Sequence, residues 1–206
     1  MKAKMILPAL TEAKSPFWRP IKYSLFPPLG LATLAAYLDE ADEISIIDEH
    51  VETLNTDDFP DLVVIQVYIT SAYRAYEIAD LYKAKGAYIC LGGLHVTSLP
   101  EEAAQHADTI FIGPGEDIWK EFLRDYGVGQ PKREYRSQVR TLVGAPLPRR
   151  DLIQCNLYLV PNSIVVSRGC PHRCDFCYKE AFFKGGKSFY YSDPRSRLSR
   201  NRIFTW

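Results

Sequence analysis

Cys170, Cys174 and Cys177 form a C-x3-C-x2-C cluster inside the stretch RGCPHRCDFCYKEAFF. Three thiols within eight residues can converge on one centre. Soft sulfur ligands select zinc or an iron–sulfur cluster. Structural zinc asks for four ligands on paired spacings, whereas this cluster offers three on an asymmetric one. His172 lies inside the loop, where its position would strain a fourth bond, and Cys155 lies fifteen residues upstream, across a strand. An iron–sulfur cube held by three cysteines keeps one iron open, which suits a reactive site. Iron–sulfur ligation leads, with zinc ligation and free thiols as the alternatives.

A second set of residues stands just behind apolar runs. Thr70 and Ser71 follow LVVIQV, Gly92, Gly93 and His95 follow YICL, and Gly113, Gly115 and Glu116 follow TIFI. Glycine at a strand end lets a ligand approach the backbone closely. Taken singly, each glycine pair reads as a tight turn, and His95 as a packed or capping residue rather than a metal ligand.

The elements that position these residues alternate in type. Lys4 to Leu7, ISII (44–47), LVVIQV (62–67), YICL (88–91) and TIFI (109–112) read as five strands. The continuous β-branched runs suit strands buried on both faces of a parallel sheet. Pro27 and Pro28 precede LGLATLAAYLDE, a good helix start. SAYRAYEIADLYKAK (71–85) carries Ala72, Ala75, Tyr76, Ala79 and Tyr82 on one stripe. Pro100 to His106 reads as a short helix. A last helix presents Ile118, Trp119, Phe122, Leu123 and Tyr126. This alternation predicts a doubly wound, Rossmann-like α/β domain. Ligands of such sheets sit beyond the carboxyl ends of the strands. That directs attention to 8–26, Asp48-Glu49, Thr70-Ser71, GGLH (92–95) and GPGE (113–116). The pattern breaks from Gly127 to Arg150, read as a linker, and SIVVS (163–167) opens a fresh strand that runs into the cysteines. The expected units are 1–130, a lead-in at 131–162, and 163–206.

The 206 residues are 47% hydrophobic and 24% charged, an ordinary globular balance. No apolar run approaches the ~20 residues of a membrane span, and the N-terminus does not read as a secretory signal. The five cysteines therefore read as thiols or ligands of a cytoplasmic protein. A net charge of zero hides a split: residues 1–130 hold ten basic and twenty acidic side chains, residues 131–206 fifteen and five. The basic part has no nucleic-acid motif, so two mutually attracting units are expected.

The cysteine spacing, with Phe176 before the last cysteine and a strand before the first, resembles the radical S-adenosylmethionine (radical SAM) superfamily. FPPLGLATLAAYL, IIDE, GGLHVTSLPEEA and ADTIFIGPGEDIW resemble the cobalamin-binding domain that precedes the radical domain in one subclass. PRRDL (148–152) resembles the segment leading into its barrel. The resemblance implies that Cys170, Cys174 and Cys177 hold a [4Fe-4S] cluster whose open iron binds S-adenosylmethionine, with Phe176 beside the adenine. It places the nucleotide tail of cobalamin near Gly92-Gly93 and Thr70-Ser71. The block of cofactor-binding residues it implies is Thr70, Ser71, Gly92, Gly93, His95, Gly113, Gly115, Glu116 and Phe176. The implied activity is radical methyl transfer or rearrangement on a small-molecule substrate, fed by a one-electron reductant such as a flavodoxin or ferredoxin.

The departures are specific. No D-x-H-x-x-G motif follows the first strand, which fits cobalamin bound with its base detached and no histidine below. Phe17, Trp18 and Tyr23 stand where they can cover that face. Gly113-Pro114-Gly115-Glu116 replaces the family's Gly-Glu-Gly-Glu, and Pro114 loses an N–H donor. From Ser163 only 44 residues follow, against roughly 250 for an eight-unit barrel. The expectation is a partial (β/α) barrel, truncated or frameshifted near Pro194 or completed by a second chain. The rival readings are a catalytically silent cobalamin and iron–sulfur binder and a zinc-stabilised interaction protein.

Overall fold

The computed structural model describes residues 1–9, 25–172, 174–177, 182–183 and 187–191. Phe17, Trp18 and Tyr23 and the residues after Tyr191 lie outside the described residues.

Six parallel strands form one sheet in the order β2-β1-β3-β4-β5-β6. They are β1 Lys2–Leu7, β2 Glu43–Asp48, β3 Leu62–Gln66, β4 Tyr88–Gly92, β5 Thr109–Ile112 and β6 Glu134–Arg136. Alternate side chains enter opposite cores because the side-chain period of a strand is two. Ile6, Val63, Ile65, Ile89, Leu91, Ile110 and Ile112 go to one face. Met5, Leu62, Val64, Cys90 and Phe111 go to the other.

Helices cover both faces. α1 (Leu29–Ala35) and α5 (Trp119–Gly127) lie on the Met5 side through Leu31, Ala35, Trp119 and Phe122. α2 (Ala72–Ala84), α3 (Leu94–Ser98) and α4 (Pro100–Ala103) cover the Ile6 side. α2 buries Ala72, Ala75, Tyr76, Ala79 and Tyr82, the stripe expected from sequence. The five expected strands are all present, and the fold is the doubly wound Rossmann-like one. Strand order reverses between β1 and β3, which opens a crevice there at the carboxyl edge.

Several features differ from the sequence reading, among them the helix expected over Pro100 to His106, which ends at Ala103. α1 ends at Ala35, short of the predicted LGLATLAAYLDE. α3 starts immediately after Gly93, in the stretch read as loop. The sheet also gains β6 from the stretch read as linker. One buried aromatic anchors that strand: Tyr135 stacks on Phe111 at 5.6 Å and its hydroxyl donates to Asp125 Oδ2 at 2.9 Å. Exposed Glu134 and Arg136 flank it, so three residues carried too little pattern to read.

Beyond the sheet, β7 (Ser167–Gly169) pairs antiparallel with β8 (Phe189–Tyr191). The strand expected at 163–167 is regular only from Ser167, directly ahead of Cys170. Among the described residues no helix is long and apolar enough to cross a membrane.

Candidate functional site

Two cavities meet at the carboxyl edge of the sheet. The first lies between α1, α5 and the ends of β3, β4 and β5. Leu31, Leu34, Val64, Phe111 and Trp119 make its walls. Gly30, Gly92, Gly93, Gly113 and Gly115 line it too, and Glu116 stands beside them. Phe182, Phe183 and Tyr190 close it from the cysteine-bearing part of the chain.

The glycines keep this rim thin. Gly93 sits at φ +112°, and an added Cβ would lie 2.8 Å from the Val67 carbonyl oxygen. Gly113 sits at φ +83° with Ser137 Cβ at 3.2 Å from an added Cβ. Both are left-handed positions that a side chain strains. Thr97 Oγ1 accepts from Gly113 N–H at 2.9 Å and donates to the Gly93 carbonyl at 2.9 Å, so one hydroxyl ties the two glycine turns together. Trp119 Nε1–H donates to the Leu34 carbonyl at 3.1 Å, which fixes α5 to α1 behind the cavity.

The second cavity is the more polar of the two and lies at the β1/β3 reversal. Asp48, His50, Gln66, Tyr68, Thr70 and Ser71 line it, facing Ser163, Ile164, Val165 and Arg168. Asp48 ends β2 and is 2% exposed. Its Oδ1 is 2.7 Å from His50 Nδ1, and its Oδ2 accepts from the Tyr158 hydroxyl at 2.9 Å. Burial, with Asp48 beside it, raises the Tyr158 phenol well above its ordinary value. Ser71 Oγ is buried with no hydrogen-bond partner. An orphaned hydroxyl costs free energy unless something supplies a partner.

The structure brings together most of the residues singled out in the sequence. Gly92, Gly93, Gly113, Gly115 and Glu116 line the apolar cavity, and Thr70 and Ser71 line the polar one. His95 lies elsewhere. Its Nε2 is 3.1 Å from Glu102 Oε1 and its ring meets Tyr76 edge-on, on the α2 side of the sheet. It packs, as its isolated position suggested.

The cysteine loop is less gathered. Cys170 N–H donates to the Ser188 carbonyl at 3.0 Å, and Cys177 N–H to the Cys174 carbonyl at 2.9 Å. None of the three is in a disulfide, and Cys174 is exposed. Phe176 is 92% exposed. Among the described residues no three His, Cys, Asp or Glu side chains stand close enough to hold a metal ion. The donor set has the right chemistry for a cluster; its arrangement here does not form one.

Sequence reasoning missed Arg168 and Gly30. Arg168 Nη2 donates to Glu116 Oε1 at 2.7 Å, and the side chain lines both cavities. Its position two residues before Cys170 was the available signal.

Residues 23–123 match the family model of the B12 binding domain. The chain is 34% identical over 175 residues to bacteriochlorophyllide d C-8(2)-methyltransferase of Chlorobaculum tepidum, covering 81% of this chain and 38% of that protein. It is 27% identical over 161 residues to hopanoid C-2 methylase of Rhodopseudomonas palustris, covering 75% of this chain and 30% of that one. It thus spans well under half of these relatives. Among solved structures it resembles the cobalamin-dependent S-adenosylmethionine radical enzyme OxsB with aqua-cobalamin bound, at TM-score 0.68 and 18% identity, covering 97% of this chain and 31% of that one. At that identity the likeness is one of fold. By sequence, then, the chain carries a match to the B12 binding domain and is similar to methyltransferases, and by fold it is similar to that cobalamin-dependent radical enzyme.

Proposed function

We propose that the chain binds cobalamin across the two cavities and takes part in radical methyl transfer to carbon. The observation that carries this reading is the glycine-rimmed apolar cavity at the carboxyl edge, inside the segment that matches the B12 binding domain. Its walls suit the benzimidazole end of a nucleotide tail. The polar cavity, with the orphaned Ser71 hydroxyl, suits the amide-fringed corrin. Bound cobalamin supplies a cobalt-held methyl group.

This chain's residues bind and orient the cofactor. Gly92 and Gly93 allow the tail to lie against backbone, Phe111 and Trp119 keep water from it, and Thr70, Ser71 and Tyr68 offer hydroxyls to the corrin edge. The finer assignment is a [4Fe-4S] cluster on Cys170, Cys174 and Cys177 that cleaves S-adenosylmethionine. Support comes from the spacing and from relatives named as methyltransferases. Among the described residues the three thiols are not gathered into a metal-holding group. That same observation favours a second reading, in which the chain binds cobalamin without catalysis.

Anaerobic reconstitution with iron, sulfide and hydroxocobalamin separates the readings. About four irons and one cobalt per chain, with deoxyadenosine formed on adding S-adenosylmethionine and reductant, is the result expected of the enzyme. Cobalt without iron leaves the silent binder. Zinc with neither overturns both.

A further inference from the structure

Arg168 touches every part of the candidate site. It lines the apolar cavity, the polar cavity and a third one near Leu142 and Pro146. Glu116, with a side chain 10% exposed, holds its guanidinium at 2.7 Å. Glu116 directly follows the Gly113-Pro114-Gly115 rim. One residue after Arg168 the backbone has no slack. Gly169 sits at φ +79°, and an added Cβ would run into the Ser188 carbonyl. The next residue is Cys170, whose N–H is held by that carbonyl.

A second tie reaches the same hairpin from the same rim. Asp117 Oδ2 accepts from Ser137 Oγ at 2.9 Å and from Arg140 N–H at 3.4 Å. Arg140 in turn donates to the Phe183 and Lys187 carbonyls. Two adjacent carboxylates thus reach the cysteine hairpin: Glu116, on the cavity wall, grips Arg168 of β7, and Asp117 next to it holds Arg140, which donates to hairpin-side carbonyls. Phe183 and Tyr190, on that hairpin side, are themselves cavity wall.

We propose that Arg168 is a positioning residue, pinned by Glu116, that carries the order of the filled cobalamin cavity to the loop starting at Cys170. The inference rests on the cobalamin reading above. A ligand that orders the rim must then order the loop, and the coupling is reciprocal. Arginine suits the task because its planar guanidinium can serve Glu116 and the cavity edge at once. A lysine would keep the charge and lose the fork.

The test is hydrogen exchange followed by mass spectrometry on the full chain, with and without hydroxocobalamin, occupancy being read from the visible spectrum. In the unaltered chain, cobalamin should slow exchange in peptides covering 113–118 and 167–177 by at least about fivefold, the low end of site-to-site coupling. In Arg168→Met, with cobalamin still bound, protection should persist at 113–118 and vanish at 167–177. Arg168→Lys should restore part of it. Glu116→Leu, which leaves no acceptor for the guanidinium, gives an independent cut of the same tie and should reproduce the loss. Peptides over 62–66 and 88–92 serve as folding controls and should not change. Protection at 167–177 that survives both cuts overturns the proposal, as does its absence in the unaltered chain with cobalamin bound. Failure of the unaltered chain to bind cobalamin overturns the function reading first.

Discussion

The sheet domain and the β7–β8 hairpin hold their shapes by different means. The sheet has strands buried on both faces and helices on each side, with Trp119, Tyr82 and Phe122 at most 1% exposed. The hairpin has two strands of three residues. Within β8 only Tyr190 is buried, while Phe189 and Tyr191 face solvent. An isolated two-stranded hairpin is marginal in water. Phe183 and Tyr190 turn instead to the apolar cavity at the sheet edge, so the hairpin's order is borrowed from the sheet. The apolar cavity is built into a packed core, whereas the cysteines ride on an element that needs its neighbour.

The sharpest way to break this contrast is to cut an aromatic from each region. Trp119→Ala removes a side chain that packs on Phe111 and Phe122 at ring separations of 5.5 and 5.0 Å. Its loss should cost about 3–5 kcal/mol. Tyr191→Ala, 57% exposed, should stay within about 0.5 kcal/mol. Urea unfolding of both variants reads the difference directly. Comparable costs would mean that the hairpin is an integral part of the core.

Gly93→Ala should come next. The substitution places a Cβ at φ +112° and 2.8 Å from a carbonyl oxygen. A cost of about 1–3 kcal/mol is expected for such strain, together with weaker hydroxocobalamin binding by spectral titration. Gly127→Ala makes the control, since an added Cβ there meets nothing within 4 Å. Equal affinities in the two variants would detach the glycine rim from the ligand.

The sheet was legible in the sequence for the same reason that it is stable. Runs such as LVVIQV and TIFI are long enough to show their class, and the α2 stripe repeats over thirteen residues. β6 was not legible, because Tyr135 alone carries it. The site was legible where glycine marks it, at Gly92, Gly93, Gly113 and Gly115. Glu116 was identified as a site residue, yet its partner Arg168 lies 52 residues away and no local pattern joins them. His95 shows the opposite limit, since a histidine beside the rim turns to Glu102 on the other side of the sheet.

A smaller effect tests whether acid attacks the sheet rather than the hairpin. Lys4, 4% exposed in β1, donates to Asp58 Oδ2 at 2.8 Å, and the Tyr82 hydroxyl donates to Asp58 Oδ1 at 2.8 Å. Burial pushes the Asp58 carboxyl up, but these two donors outweigh it and leave it below its ordinary value. A lowered folded pKa gives stability that is present above the unfolded value of about 3.9 and lost as pH falls through the folded one. Lys4→Met should therefore cost about 1 kcal/mol at pH 7, and the part of the gap that comes from Asp58 should close as pH falls through its lowered folded value. A gap that does not narrow in acid would assign the loss to packing and to the Lys4 hydrogen bonds with the Asn55 carbonyl and the Tyr82 hydroxyl.

The smallest effect on stability should come from the residues with the most chemistry. Replacing Cys170, Cys174 or Cys177 with serine removes no thiol from the core: Cys174 is exposed and the other two are half-buried. Each change should move the urea midpoint of the metal-free chain by less than about 0.5 kcal/mol, while abolishing iron retention after reconstitution. Cys90 is the internal contrast. It is fully buried in β4, and burial pushes its thiol well above the ordinary value. The thiolate is the reactive form, so iodoacetamide should label Cys174 quickly and Cys90 only on unfolding. Fast labelling of Cys90 in the native chain would show that the sheet opens as readily as the hairpin, and the division between a packed cofactor domain and a borrowed cysteine loop would fail.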